Sequence, residues 1–190
     1  MKIAVDVDGV LADVIVTWLD IYNAEHHNSV KKDEVNHWDF FGSLGIDRVE
    51  FDRIFELVWK NWRAIPPCET MLDQKVRDLS KIGEVSIVTA RSTTSIPSVK
   101  AWLSDKLIFY SDMIVVDYGP LKSTLDFDVF IDDSPLNAKN IAESGKLVLL
   151  FDQPWNRDIK GEGIVRISGF PEAIAAIDNL SKKKVKEGHN

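Results

Sequence analysis

The first thirteen residues constrain this chain most. Ile3, Ala4 and Val5 form a short apolar run, and Asp6-Val7-Asp8-Gly9 follows at once, before a helix-period pattern takes over. The apolar run reads as a buried strand. Carboxylates at the end of a buried strand are costly unless they are paired or bind metal. The stretch therefore reads as a metal-assisted phosphoryl-transfer site, with Asp6 as nucleophile.

The totals narrow the class. A length of 190 residues fits one domain with a sizeable core, or one domain with a small insertion. The formal net charge of −7 argues against a nucleic-acid polymer as partner, though not against a nucleotide substrate, because a bound metal reverses the local field. Cys68 is the single cysteine, so an intrachain disulfide is excluded and a reducing compartment, the cytoplasm, is expected. The first strand is too short and acid-flanked for a signal peptide, and no apolar run reaches membrane-spanning length. No membrane partner is expected, and a homodimer is left open.

Leu11, Val14, Ile15, Trp18, Leu19 and Tyr22 mark one face of an amphipathic helix beginning near Leu11. Asp47 and Glu50 read as a capping box opening a second helix, marked by Phe51, Ile54, Phe55, Val58 and Trp62. No strand is evident between residues 12 and 66, a block holding four of the six tryptophans and four of the nine phenylalanines. It reads as a helical cap, residues 12–67, with its own apolar cluster. Strands and helices alternate afterwards, with strands expected at Val85–Thr89, Met113–Val116, Phe127–Ile131, Leu147–Phe151 and around Ile164–Arg166. This pattern specifies an α/β fold with a Rossmann-like parallel sheet covered on both faces. The core is expected at residues 1–11 and 68–181, and a solvated basic tail at 182–190.

In such sheets ligands bind beyond the carboxyl ends of the strands. Asp6-x-Asp8, Thr89 and Asp132-Asp133 stand at the ends of three strands, so they should converge. Four acids in one crevice cannot all stay ionised unpaired. One Mg2+ offsets two charges, Lys122 another, and a proton on Asp8 the fourth. A phosphate dianion then needs donors, which the Thr89 hydroxyl and the main chain at Ala90 supply. The expected chemistry is attack by Asp6, with Asp8 as acid and base.

Asp6-Val7-Asp8-Gly9-Val10-Leu11, Thr89, Lys122 and Asp132-Asp133 resemble, in order, the four motifs of the haloacid dehalogenase superfamily. The resemblance implies a metal held by the Asp6 carboxylate, the Asp8 carbonyl and an acid of the Asp132-Asp133 pair, with Asp133 favoured. Asp8 favours a phosphatase over a dehalogenase. Within the superfamily the chain looks like the 5'(3')-deoxyribonucleotidases, on Asp6 to Asp13, the small cap, the Lys122-to-Asp132 spacing and Phe151 to Arg157. That implies a nucleoside monophosphate as substrate, with another small ester such as a sugar phosphate as the alternative, and a non-catalytic phosphate- or nucleotide-binding protein as the alternative of another class. Two positions depart from the family pattern: Val14 stands where an aromatic helps stack the base, and Ala90-Arg91 where a serine follows the threonine. Stacking then falls to Trp38, Phe40 or Phe41.

Simpler readings compete. Asp-x-Asp-Gly also opens calcium loops, but no further ligand pattern follows. Asp132-Asp133-Ser134-Pro135 by itself reads as a helix cap. Trp18, Phe51, Phe55 and Trp62 read as core. Arg91 reads equally as a contact to substrate phosphate or sugar, or as the partner of a surface carboxylate. His26, His27 and His37 lack a ligand cluster and Cys68 lacks a base, so neither set is assigned chemistry.

Overall fold

Side chains alternate across the first strand: Ile3 and Val5 join one apolar cluster and Ala4 another. That double burial dictates a layered architecture. The computed structural model describes residues 1–187, with side chains through Leu180. Strands β1 (Lys2–Val5), β2 (Glu84–Thr89), β3 (Asp112–Val115), β4 (Val129–Asp132), β5 (Leu147–Phe151) and β6 (Ile164–Ile167) form one parallel sheet in the order β3-β2-β1-β4-β5-β6. Val5 pairs with Ile87 of β2 and Ile131 of β4, which aligns the carboxyl ends of the three central strands. The strand order reverses between β1 and β4, and that is where a ligand crevice forms.

The helices are α1 (Val14–His26), α2 (Arg48–Lys60), α3 (Leu72–Leu79), α4 (Ile96–Asp105), α5 (Pro135–Glu143) and α6 (Phe170–Glu187). Leu72, Val76 and Leu79 of α3, Trp102 of α4 and Ile177 of α6 pack on the Ile3/Val5 face, and Ala138 and Ile141 of α5 on the Ala4 face. Among the described residues no helix is long and apolar enough to cross a membrane.

Two expectations are corrected. Helix α1 begins at Val14, not near Leu11. Gly9 has φ +74°, and the N–H groups of Leu11 and Ala12 both donate to the Val7 carbonyl, so residues 8–12 form a tight turn before any helix. The aromatic residues of the helical segment do not form a separate cluster. Trp18, Phe40, Phe55 and Trp59 belong to the same core as Ile3 and Val5, because α1 rises directly from the β1 turn. Helix α6 continues as backbone into the expected basic tail, through Glu187, since lysine is a good helix former and no glycine or proline intervenes before Gly188; residues 188–190 lie outside the described residues.

The capping box is half formed. Asp47 accepts from the Glu50 N–H at 2.8 Å, while the Glu50 carboxylate is occupied by Arg53 and His26. Trp18 is fully buried, and its indole N–H donates to the Phe51 carbonyl at 3.2 Å, joining α1 to α2. Burial of that side chain stabilises the segment by roughly 1.5–3 kcal/mol.

Candidate active site

Asp6 leaves β1 with its N–H still in the sheet, donating to the Ile131 carbonyl at 2.9 Å. Its Oδ1 accepts from the Val7 N–H at 2.7 Å, and its Oδ2 lies 2.9 Å from Nζ of Lys122. Lys122 comes from a 3-10 turn at Gly119–Thr124 and is 1% exposed. That turn lies close against α5: a Cβ on Gly119 would stand 2.3 Å from Oδ1 of Asn137.

The two acids after β4 have different surroundings. Asp132 is saturated: Lys122 Nζ reaches its Oδ2 at 2.8 Å, the Ser134 N–H its Oδ1 at 2.9 Å, and Asn137 Nδ2 both oxygens at 3.1 Å. Asp133 receives the Trp155 indole N–H on Oδ2 at 3.0 Å, and its carboxylate lies against Gly9, where a Cβ would come within 2.2 Å of Oδ2. Asn156 donates to the Asp133 carbonyl and Gln153 to the Gly9 carbonyl, locking the two turns together. Ligand atoms of Asp6, Asp132 and Asp133 lie within 4.8 Å of one another, a donor set suited to a hard cation.

Burial dominates the electrostatics. It pushes the Asp6 carboxyl up, with Lys122 opposing and Asp132 and Asp8 adding to the rise. Asp133 is raised well above the carboxylate range, by burial first and then by Asp132 and Asp6. Burial also raises Asp8, against the pull of Arg91 and Lys122. On Lys122 burial opposes the charge, but Asp132 and Asp6 outweigh it, and the ammonium is held more firmly than usual. One buried cation thus faces several buried acids.

Thr89, at the end of β2, is buried, and its Oγ1 accepts from the Arg91 N–H at 3.3 Å. Ala90 and Arg91 line the same cavity, of about 500 Å³, as Asp6, Asp8, Lys122 and Asp133. Arg91 pairs with Asp8 through Nε and lies over the Phe55 ring at 4.6 Å, so its carboxylate partner belongs to the site itself. Trp38 is 43% exposed and lines the outer cavity with Phe41. Phe40 touches the cavity but is 5% exposed, edge-on to Trp18 and Phe51, so packing holds it in place. Phe51 and Phe55, expected only as core, also form cavity wall. The acidic-histidine group Glu25, His26 and Glu50 carries no site, because Arg53 bridges both glutamates.

Sequence reasoning missed Asn137 and Trp155. Asn137 stands one helical turn after Ser134, and Trp155 lies within the stretch Phe151–Arg157 that carries the family resemblance; neither spacing by itself names an acid as partner.

The comparisons with known proteins, the nucleotidase family match above all, support a phosphomonoester hydrolase of the haloacid dehalogenase type. A solved haloacid dehalogenase-like protein of unknown function from Agrobacterium tumefaciens superposes with a TM-score of 0.65 at 12% identity, over 95% of this chain and 98% of that one. The model of the family described as 5' nucleotidase, deoxy (pyrimidine), cytosolic type C protein matches residues 1–184, and the chain belongs to that family. A nucleotidase of Clostridium acetobutylicum is 23% identical over 186 residues, covering 96% of each chain. A 5'(3')-deoxyribonucleotidase of Bacillus subtilis is 27% identical over 159 residues, covering 82% of this chain and 87% of that protein.

Proposed function

We propose that this nucleotidase is a Mg2+-dependent 5'(3')-deoxyribonucleotidase acting through an aspartyl-phosphate on Asp6. The carrying observation is the convergence of Asp6, Asp8, Thr89, Lys122 and Asp133 on the floor of one cavity with aromatic walls.

The donor set fits Mg2+. Among the described residues Asp133 has a single side-chain donor, from Trp155, and Lys122 leaves negative charge uncompensated. The carboxylates of Asp6 and Asp133, with the main-chain carbonyl of Asp8, would hold the ion; Asp132 is committed to Lys122 and Asn137. When bound, the ion supplies positive charge beside the transferring phosphoryl group.

The chain's own residues do the rest. An Asp6 carboxylate oxygen attacks phosphorus in line, and the bond to the leaving oxygen breaks as the aspartyl-phosphate bond forms. Asp8 gives its proton to that oxygen, and its raised affinity for protons suits the task. Water then attacks phosphorus, passing a proton to Asp8 and releasing Asp6. The Thr89 hydroxyl and the N–H groups after β2 donate to phosphoryl oxygens, and Lys122 holds Asp6 in place.

Residues 12–67 act as the cap. Trp38 and Phe41 offer flat faces for a base, which favours a nucleoside monophosphate over a sugar phosphate. The deoxyribonucleotide assignment draws on the name of the Bacillus subtilis relative. A cytoplasmic location belongs to the same proposal, supported by the unpaired Cys68. The test is phosphate release with Mg2+ across deoxynucleotides, ribonucleotides and sugar phosphates. Deoxynucleotides should lead; sugar phosphates ahead by orders of magnitude would reject the substrate, and no release from any ester would reject the activity.

A further inference from the structure

Asp8 is held by a group that the steps above leave unused. Arg91 Nε pairs with Oδ2 of Asp8. The other oxygen, Oδ1, is buried, and the buried Trp59 indole N–H lies against the carboxyl and favours its charged form. That leaves Oδ2, the oxygen under the guanidinium, to face an incoming ester. Arg91 is also tied to its surroundings at two other points: the guanidinium lies over the Phe55 ring of α2, and the main-chain N–H donates to Thr89 Oγ1.

We propose that Arg91 is a phosphate-released latch: in the free protein its guanidinium occupies Oδ2 of Asp8, and an arriving phosphate dianion draws it onto phosphoryl oxygens, freeing Oδ2 for the leaving group. The proposal rests on the phosphatase reading of the same site.

A guanidinium fork matches a carboxylate and a phosphate equally well in shape, and the dianion carries more charge. The Phe55 face keeps the guanidinium inside the cavity, so the exchange is a short swing across a stacked surface. Lys122 is unsuited to this role because Asp6 and Asp132 both hold it in a buried pair. Arg48 is engaged with Asp52 at the cavity rim. No bond to phosphorus changes in the exchange: one set of N–H donors passes from carboxylate to phosphate, and the freed Asp8 carboxylate takes up from water the proton it then gives to the leaving oxygen. The latch makes Arg91 a specificity-determining residue, since a dephosphorylated nucleoside leaves Asp8 occupied.

The test is calorimetric titration of the full chain with inorganic phosphate, in a cycle of Arg91→Met and Asp8→Asn. Methionine keeps an apolar stem on Phe55, and equal unfolding midpoints confirm intact folding. Arg91→Met should weaken phosphate binding by roughly ten- to hundredfold, and Arg91→Lys by less. Asp8→Asn removes the competitor, so it should tighten phosphate binding several-fold more in the Arg91 protein than in the Arg91→Met protein. Equal tightening in both backgrounds reports simple charge repulsion and overturns the latch, as does an Arg91→Met protein within about twofold of the parent. If the cycle shows coupling but no ester is hydrolysed, the exchange of Arg91 between Asp8 and phosphate stands, and its part in hydrolysis falls with the proposed function. If deoxynucleotides are hydrolysed without coupling, the latch alone falls.

Discussion

Lys122 and Asp132 form a closed pair: Nζ lies 2.8 Å from Oδ2, and both side chains are 2% exposed. The same ammonium lies 2.9 Å from Asp6, so one cation holds the saturated acid after β4 against the reactive acid after β1. Lys122→Met should therefore destabilise the fold by about 3–5 kcal/mol, since it leaves buried carboxylates without their cation. Urea unfolding of the metal-free protein checks this, and hydrolysis should be lost in the same variant.

The unequal surroundings of Asp132 and Asp133 predict different failures. Asp133→Asn should fold at least as well as the parent without metal, because it removes a buried charge raised by burial and by its acidic neighbours. It should lose stabilisation by Mg2+, which in the parent reaches about 2.7 kcal/mol at a hundredfold excess over Kd. Asp132→Asn should lower stability, because Lys122 loses a partner, and should keep a Mg2+ response. Thermal unfolding with and without Mg2+ separates the two.

The buried acids also set a pH dependence. Asp6 is raised from the ordinary 3.8 to about 7, chiefly by burial. Between those values the folded protein keeps a proton that the unfolded chain has released, so stability falls as pH rises through the window. Metal-free protein should thus become less stable from about pH 4 to about pH 7 through this group, and Asp133 acts in the same direction. Saturating Mg2+ should flatten the slope, because the ion favours the ionised acids. Chemical unfolding across pH, with and without Mg2+, measures both slopes.

Gly9 is required twice, for its φ of +74° and for the space beside Asp133. Gly9→Ala should cost about 1–3 kcal/mol from the backbone alone. The added methyl should also displace Asp133, so Mg2+ affinity should fall together with turnover. Titration of Mg2+ against the unfolding midpoint checks the first effect and phosphate release the second.

Much of the frame was legible in the sequence because it is written in short-range pattern. β1, β2, β4 and β5 are apolar runs of strand length, and the acids and Thr89 stand where those runs end. What was not legible depends on contacts across the chain. Arg91 is close to Asp8 only because β2 lies beside β1, and Asn137 serves Asp132 only because α5 folds back over the Lys122 turn. The start of α1 was misplaced because Val10 and Leu11 fit the helix period, while the carbonyl of Val7 had already taken their N–H groups into a turn. Phe51 and Phe55 read as core from their spacing, which does not reveal that one edge of that core is also the cavity wall.

The central claim is that Asp6 carries the phosphoryl group. Acid-quenched single turnover with a labelled deoxynucleoside monophosphate and Mg2+, followed by peptide mass analysis, reads it directly. The account predicts one transient phosphoryl group on the peptide containing Asp6, and neither label nor turnover in Asp6→Asn. Undiminished phosphate release by Asp6→Asn, or a phosphoryl group on another residue, would contradict it.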